Sequence, residues 1–225
     1  MDDDVVLSAP LFATIEPDAA HALFSSMTRV LLARGQTAFH EGEPGDRLYV
    51  IGSGKVKLGR RSNDGRENLL SILGPAEMFG ELSLFDPGPR TATATAVSDT
   101  VLYELSHTEM ISWLELYPAV AKHLLEALAR RLRRTNETLA DLVFSDVPGR
   151  VAKALLDLST RFGQQVDEGL RVAHDLTQEE LAQLVGASRE TVNKALADFA
   201  ARGWVRRDGR SIVLLDLDRL ERRAR

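Results

Sequence analysis

The 225-residue chain has no cysteine, which excludes disulfides, thiol catalysis and thiolate-held zinc or iron–sulfur centres. Its 44% hydrophobic and 27% charged residues are those of an ordinary folded protein, and no uncharged apolar run approaches the ~20 residues of a membrane helix. The formal charge of −5 speaks against a nucleic-acid partner only until it is divided: residues 1–145 carry 14 basic and 20 acidic side chains, residues 146–225 carry 14 and 13.

The start Met1-Asp-Asp-Asp4 is the reverse of a basic leader, so a cytoplasmic protein away from the membrane is expected. Residues 9–28 place apolar side chains at helical spacing, with Pro17 suited to a first turn. From Gly35 to Leu105 short runs rich in Val, Ile, Leu, Tyr and Thr are punctuated by glycines, the texture of a β-sandwich or jelly roll. Lys55-Val-Lys-Leu58 alternates like a half-exposed strand, and Asn63-Asp-Gly65 signals a hairpin turn. Within this stretch the run from Gly80 to Thr91, Gly-Glu-Leu-Ser-Leu-Phe-Asp-Pro-Gly-Pro-Arg-Thr, suits a small phosphorylated ring. Backbone N–H groups near Gly80 and the guanidinium of Arg90 would cradle an anionic phosphate, and the Glu81 carboxylate would accept from a ribose hydroxyl.

The spacing next predicts one long helix from Thr108 to Phe144, interrupted only at Pro118. Ala121, Leu125, Leu128, Leu132, Thr135, Leu139 and Leu142 step by four and three, a seam that pairs a helix with a parallel copy of itself and so implies a homodimer. The alternative is a helix lying on its own β-roll. Thr135 is the one polar residue of the row, and a ligand contact would account for it. Asp146-Val-Pro-Gly149 ends the helix and reads as a hinge.

Beyond it, Val151, Leu155, Leu158 and Phe162 share one helical face, and a short Gly/Asp/Glu loop follows. Thr177-Gln-Glu-Glu180 is a capping box, Gly186 supplies a turn and Ser188 caps a second helix, which makes a helix-turn-helix. Leu181 and Leu184 face inward in the first helix, as do Val192, Leu196 and Phe199 in the second, leaving Arg189, Glu190, Asn193 and Lys194 to point away. Arg189 suits the paired acceptors of guanine and Glu190 the amino donor of cytosine. Two β-like runs flanking Asp208-Gly209 form a wing. The expected class is α+β: a jelly roll over residues 1–115, a long dimerisation helix over 116–145 and a winged helix-turn-helix over 146–225.

The run from Phe79 to Ala94, the phrase from Glu41 to Lys55 and the frame Gly186-Ala-Ser-Arg-Glu-Thr-Val-Asn-Lys194 together resemble the CRP/FNR family of bacterial transcription regulators. The resemblance spans nearly the full chain and is greatest to the actinobacterial cyclic-AMP receptor proteins. It implies cyclic AMP as allosteric effector, with Gly80, Glu81 and Leu82 at the ribose, Ser83 beside them, and Arg90 and Thr91 at the cyclic phosphate. Thr135 would meet the adenine from the same subunit, Asn136 from the partner, and Arg131 would brace the site. Thr91 and Asn136 stand where relatives more often carry serine, which leaves cyclic GMP open. For double-stranded DNA, with twofold-symmetric operators, the resemblance implies Thr177, Gln178, Ser188, Arg189, Glu190, Thr191, Asn193 and Lys194, and it implies RNA polymerase as a partner. The histidines at 21, 40, 107, 123 and 174 are scattered, so neither a metal site nor catalysis is expected. An effector-independent DNA binder with a degenerate nucleotide site, and a nucleotide-sensing regulatory subunit, remain the alternatives.

Overall fold

The computed structural model describes residues 2–9, 12, 15–62, 67–86 and 88–225. The chain falls into two compact units that divide within one helix, between Arg133 and Arg134, with residues 67–69 grouped with the second.

In the first unit a short helix α1 (Asp2–Leu7), absent from the sequence-based reading, precedes α2 (Pro17–Ser26), which opens with proline as expected. The helical pattern of residues 9–28 is realised as α2 alone among the described residues. Strands begin earlier than the glycine punctuation suggests, with β1 (Thr28–Leu32) ahead of β2 (Thr37–Phe39), β3 (Arg47–Ser53) and β4 (Val56–Arg61). After these come β5 (Glu67–Leu73), β6 (Met78–Phe79), a single helical turn α3 (Leu82–Phe85), β7 (Thr93–Ala96) and β8 (Thr100–Ser106). The turn expected at Asn63-Asp-Gly65 lies outside the described residues.

These strands form two sheets, in the orders β1-β8-β3-β6 and β2-β7-β4-β5. Strand β3 explains the layering. Its side chains alternate between faces, yet Leu48, Tyr49, Val50 and Ile51 are all buried. Tyr49 and Ile51 pack with Val56, Phe79, Ala94 and Leu102 in the core between the sheets. Leu48 and Val50 pack on the opposite face with Val6, Leu23, Met110, Val120 and Leu124 of the helices.

The helices following β8 are two, not one. A Ser106/Glu109 capping box starts α4 (His107–Leu116), and α5 (Ala119–Phe144) begins after Pro118, which cannot supply the N–H that would continue the first helix. Helix α5 lies on its own β-roll through one face and leaves the four-three row outside that contact. Val120 and Leu124 are buried against the helical side of the roll, while Leu125, Leu132 and Leu139 of the four-three row are exposed.

The second unit holds the end of α5, then α6 (Val147–Phe162), α7 (Gln178–Val185), α8 (Arg189–Ala201) and α9 (Leu217–Arg223). Its sheet has the order β11-β12-β10-β9. The segment read as a Gly/Asp/Glu loop is a hairpin of β9 (Gly163–Val166) and β10 (Gly169–Ala173), and the expected wing is β11 (Val205–Asp208) with β12 (Ser211–Leu214). The first hairpin escaped detection because its strands are short and Gln164 and Gln165 are exposed, so no alternation marks them.

The Asp146-Val-Pro-Gly149 segment is not a loose hinge. Asp146 caps α6 by accepting from the Gly149 N–H at 2.9 Å, and its other oxygen pairs with Arg223 of α9. Only Ser145 and Asp146 separate α5 from α6. Arg223 and the Gly149 N–H hold the Asp146 carboxyl below its ordinary pKa. A depressed folded-state pKa gives stability that is present above the unfolded value and lost as pH falls through the folded one. Asp146→Asn cannot ionise, so its unfolding midpoint should fall less than that of wild type on acidification below pH ~4. Parallel acid-unfolding curves check this.

Candidate functional site

Arg90 stands at the centre of the first unit's depression and is 4% exposed. Its backbone is held on both sides, its N–H donating to Glu43 O at 2.8 Å and its carbonyl accepting from Gly42 N at 2.9 Å. The guanidinium donates to Gly80 O and Arg47 O, each at 2.8 Å, and lies 4.1 Å above the Phe39 ring. Burial lowers its pKa, and Glu81 and Glu43 act in the opposite sense. Two glycines admit this side chain. Gly80 has φ +84°, and a Cβ there would stand 2.8 Å from Arg90 Nη1, while one on Gly45 would stand 2.7 Å from Arg90 Nε.

Glu81 opens α3 and is 1% exposed, as deep as a core residue. Arg131 of α5 donates from Nη1 to Glu81 Oε1 and from Nη2 to Met78 O, the latter at 2.6 Å. Phe39, Leu58, Gly80, Glu81, Leu82, Ser83, Arg90, Thr91, Ala92 and Arg131 line one depression. Two buried atoms of this wall, Glu81 Oε2 and Arg90 Nε, make no hydrogen bond. One is an acceptor for a hydroxyl and the other a donor for an anion, the two chemistries of a sugar phosphate.

Of the residues expected at the ligand, seven come together here: Gly80, Glu81, Leu82, Ser83, Arg90, Thr91 and Arg131. Thr135 and Asn136 do not. They are exposed, further along α5, and outside the lining of the depression. Phe39 was missed, since an aromatic residue at the end of a short strand carries no signal of an arginine from a distant segment.

In the second unit the helix-turn-helix forms as its caps dictate. Thr177 and Glu180 bond reciprocally, and Ser188 accepts from the Thr191 N–H at 3.2 Å. Gly186 ends α7 in the left-handed region at φ +69°, and a Cβ there would stand 2.8 Å from Leu142 Cδ2. Leu142, counted in the seam row, thus lies against this turn. Arg150 of α6 fixes the turn from behind, donating to Val185 O at 3.0 Å and Gly186 O at 3.2 Å, and to Ser145 O at 2.7 Å. Val192, Leu196 and Phe199 are buried, and Ser188, Arg189, Glu190, Thr191 and Lys194 are exposed along the start of α8. Gln178 and Asn193 depart from that pattern, both being half-buried.

Residues 29–117 match the cyclic nucleotide-binding domain family, and residues 149–223 match the Crp-like helix-turn-helix domain family. The chain is therefore a regulator of the class that joins an effector domain to a DNA-binding one. It is 59% identical over 223 residues to the CRP-like cAMP-activated global transcriptional regulator of Mycobacterium tuberculosis, covering 99% of this chain and 100% of that one. The chain belongs to the CRP/FNR family of transcription regulators. Among solved structures it is similar to the Thermus thermophilus catabolite activator protein, with 38% identity, a TM-score of 0.56, and coverage of 96% of this chain and 98% of that one. The c-di-GMP responsive global regulator of Xanthomonas campestris is similar as well, with 27% identity, a TM-score of 0.74, and coverage of 88% and 99%. Among the described residues no helix is long and apolar enough to cross a membrane.

Proposed function

We propose that this protein is a cyclic-AMP-responsive, homodimeric transcription regulator of the cytoplasm that binds twofold-symmetric operators and meets RNA polymerase there. The observation that carries the effector reading is the pair of buried atoms, Glu81 Oε2 and Arg90 Nε, lacking partners in one small depression. A buried polar atom left without a hydrogen bond costs about 1–3 kcal/mol, and a ligand that supplies both bonds recovers it. The ribose 2′-hydroxyl would donate to Glu81 and the cyclic phosphate would accept from Arg90, with Gly80, Leu82, Ser83 and Thr91 closing around them. The relatives named as cAMP-activated support the choice of nucleotide.

Residues 1–115 act as the sensor, 116–145 as the pairing helix and 146–225 as the reader. In the dimer the exposed leucine row of α5 is covered by its copy. Thr135 then reaches the base in cis and Asn136 reaches it from the partner. Calorimetric titration with cyclic AMP and cyclic GMP, alongside mobility shifts with and without nucleotide, tests the whole reading. Operator affinity that is the same with and without nucleotide would select the effector-independent alternative instead.

Arg189 and Glu190, exposed in the first turn of α8, would enter the major groove. Arg189→Ala should cost about 1–3 kcal/mol at one symmetric base position and relax the preference there. Binding specific and random DNA as wild type does would remove Arg189 from the groove.

A further inference from the structure

Strand alternation sends neighbouring side chains of the wing to opposite faces. In β11, Arg206 and Asp208 share one face, and Val205 and Arg207 share the other. The first pair is anchored across the sheet. Arg206 Nη2 is 2.7 Å from Glu168 Oε2, in the turn between β9 and β10, and Asp208 Oδ2 is 3.3 Å from Arg171 Nη2 of β10. These opposite-charge pairs hold the wing in place with Arg207 on the far side. That face buries Val205, and from it Arg207 Nη2 donates to Asn193 Oδ1 of α8 at 3.2 Å.

Asn193 lies one helical turn beyond Arg189 and Glu190, between buried Val192 and exposed Lys194. A carboxamide reads adenine with both of its groups, the oxygen accepting from the N6 amino group while the nitrogen donates to N7. Here the oxygen is held by a guanidinium, whose positive charge repels a second donor such as the adenine amino group. What remains toward the groove is the NH₂ group with its two donors. Guanine presents two acceptors, O6 and N7, on that same edge.

We propose that Arg207 is a specificity-determining positioning residue: by holding the Asn193 oxygen it makes Asn193 a donor-only reader that favours guanine over adenine at one symmetric position of the operator. The inference rests on α8 being the DNA-reading helix. It goes beyond that reading by assigning a base preference to a wing residue that touches no base.

The full-length protein with cyclic AMP is used to select from duplexes carrying a randomised, twofold-symmetric half-site. Affinities are then measured for the guanine and adenine versions of each selected position. Arg207→Ala should shift the guanine-over-adenine ratio at one position by about tenfold toward adenine, leaving other positions unchanged. The same substitution in an Asn193→Ala background should shift nothing. Asn193→Asp keeps an acceptor for Arg207 but has no donor, and it should lose the guanine preference. A uniform loss of affinity over all sequences with a weaker salt dependence would make Arg207 a phosphate contact and overturn the proposal. Failure of the wild type to select any sequence would sink the DNA-reading function itself. Selection by the wild type with base preferences unchanged in Arg207→Ala would sink this inference alone.

Discussion

Arg90→Ala is expected to weaken cyclic-nucleotide binding by at least about tenfold and to destabilise the first unit as well. The binding loss follows from removing the guanidinium proposed to meet the phosphate, since Arg131, the other arginine of the depression, is bonded to Glu81 and Met78 O. Charge-assisted bonds of this kind are worth roughly 1.5–3 kcal/mol each, so affinity should fall at least about tenfold per bond lost. A corner of a β-roll tolerates truncation when the side chain makes no structural contact, and in that case binding alone would suffer. Arg90 does make such contacts, because its two guanidinium bonds satisfy Gly80 O and Arg47 O and its face covers Phe39. Leaving those carbonyls without their donor adds about 1–3 kcal/mol for each one that water cannot reach. Calorimetric titration reads the first effect and thermal unfolding without ligand the second. Arg90→Lys separates them further, since it keeps a charge but not the planar fork that spans both carbonyls. Unchanged nucleotide affinity in Arg90→Ala would show that the anion site does not exist.

The second large effect is expected at the proposed dimer seam. Leu132 is 61% exposed in the single chain, at the middle of the row that runs from Leu125 to Leu139. In a parallel pair of helices the two Leu132 side chains face one another, and that contact is what covers them. Leu132→Asp would bring two carboxylates together there, each with a desolvation penalty of several kcal/mol. The variant should therefore be monomeric by analytical ultracentrifugation at concentrations where the wild type is a dimer. Its operator affinity should fall by more than a hundredfold, about 2.7 kcal/mol or more, because one half-site is engaged at a time. The roll itself should fold normally, since Leu132 is exposed and takes no part in the core that Val120 and Leu124 join. A dimeric Leu132→Asp would place the self-association surface elsewhere.

What the sequence made legible was local. The Thr177/Glu180 box, Gly186 and Ser188 each act within a few residues of themselves, so their pattern survives in one dimension. The stretch from Gly80 to Thr91 was readable because the acid, the arginine and the glycine that admits the arginine fall within about a dozen residues of chain. What bonds across long separations was not. Phe39 beneath Arg90, the Arg150 bonds to Val185 and Gly186, and the Arg207 bond to Asn193 leave no spacing to detect. The short elements α1, α3 and β9 were hidden for a related reason: too few residues lie in each to set a period, and tertiary packing decides them. Helix α5 had two candidate faces: the one on the roll is packed as expected, and the leucine row stays exposed in the single chain.

The passage from α5 to α6 consists of Ser145 and Asp146, with two soft backbone torsions each, about four in all. Both residues are also held, Ser145 through its carbonyl by Arg150 and Asp146 through its carboxylate by Gly149 and Arg223. A joint with so few rotatable bonds and such definite fastenings has a short menu of stable angles rather than a continuum. Moving from one setting to another requires particular bonds to open, so the interval between settings is governed by a barrier and not by diffusion of a slack tether. Arg150, Gly149 and Arg223 thus govern how long the present setting lasts.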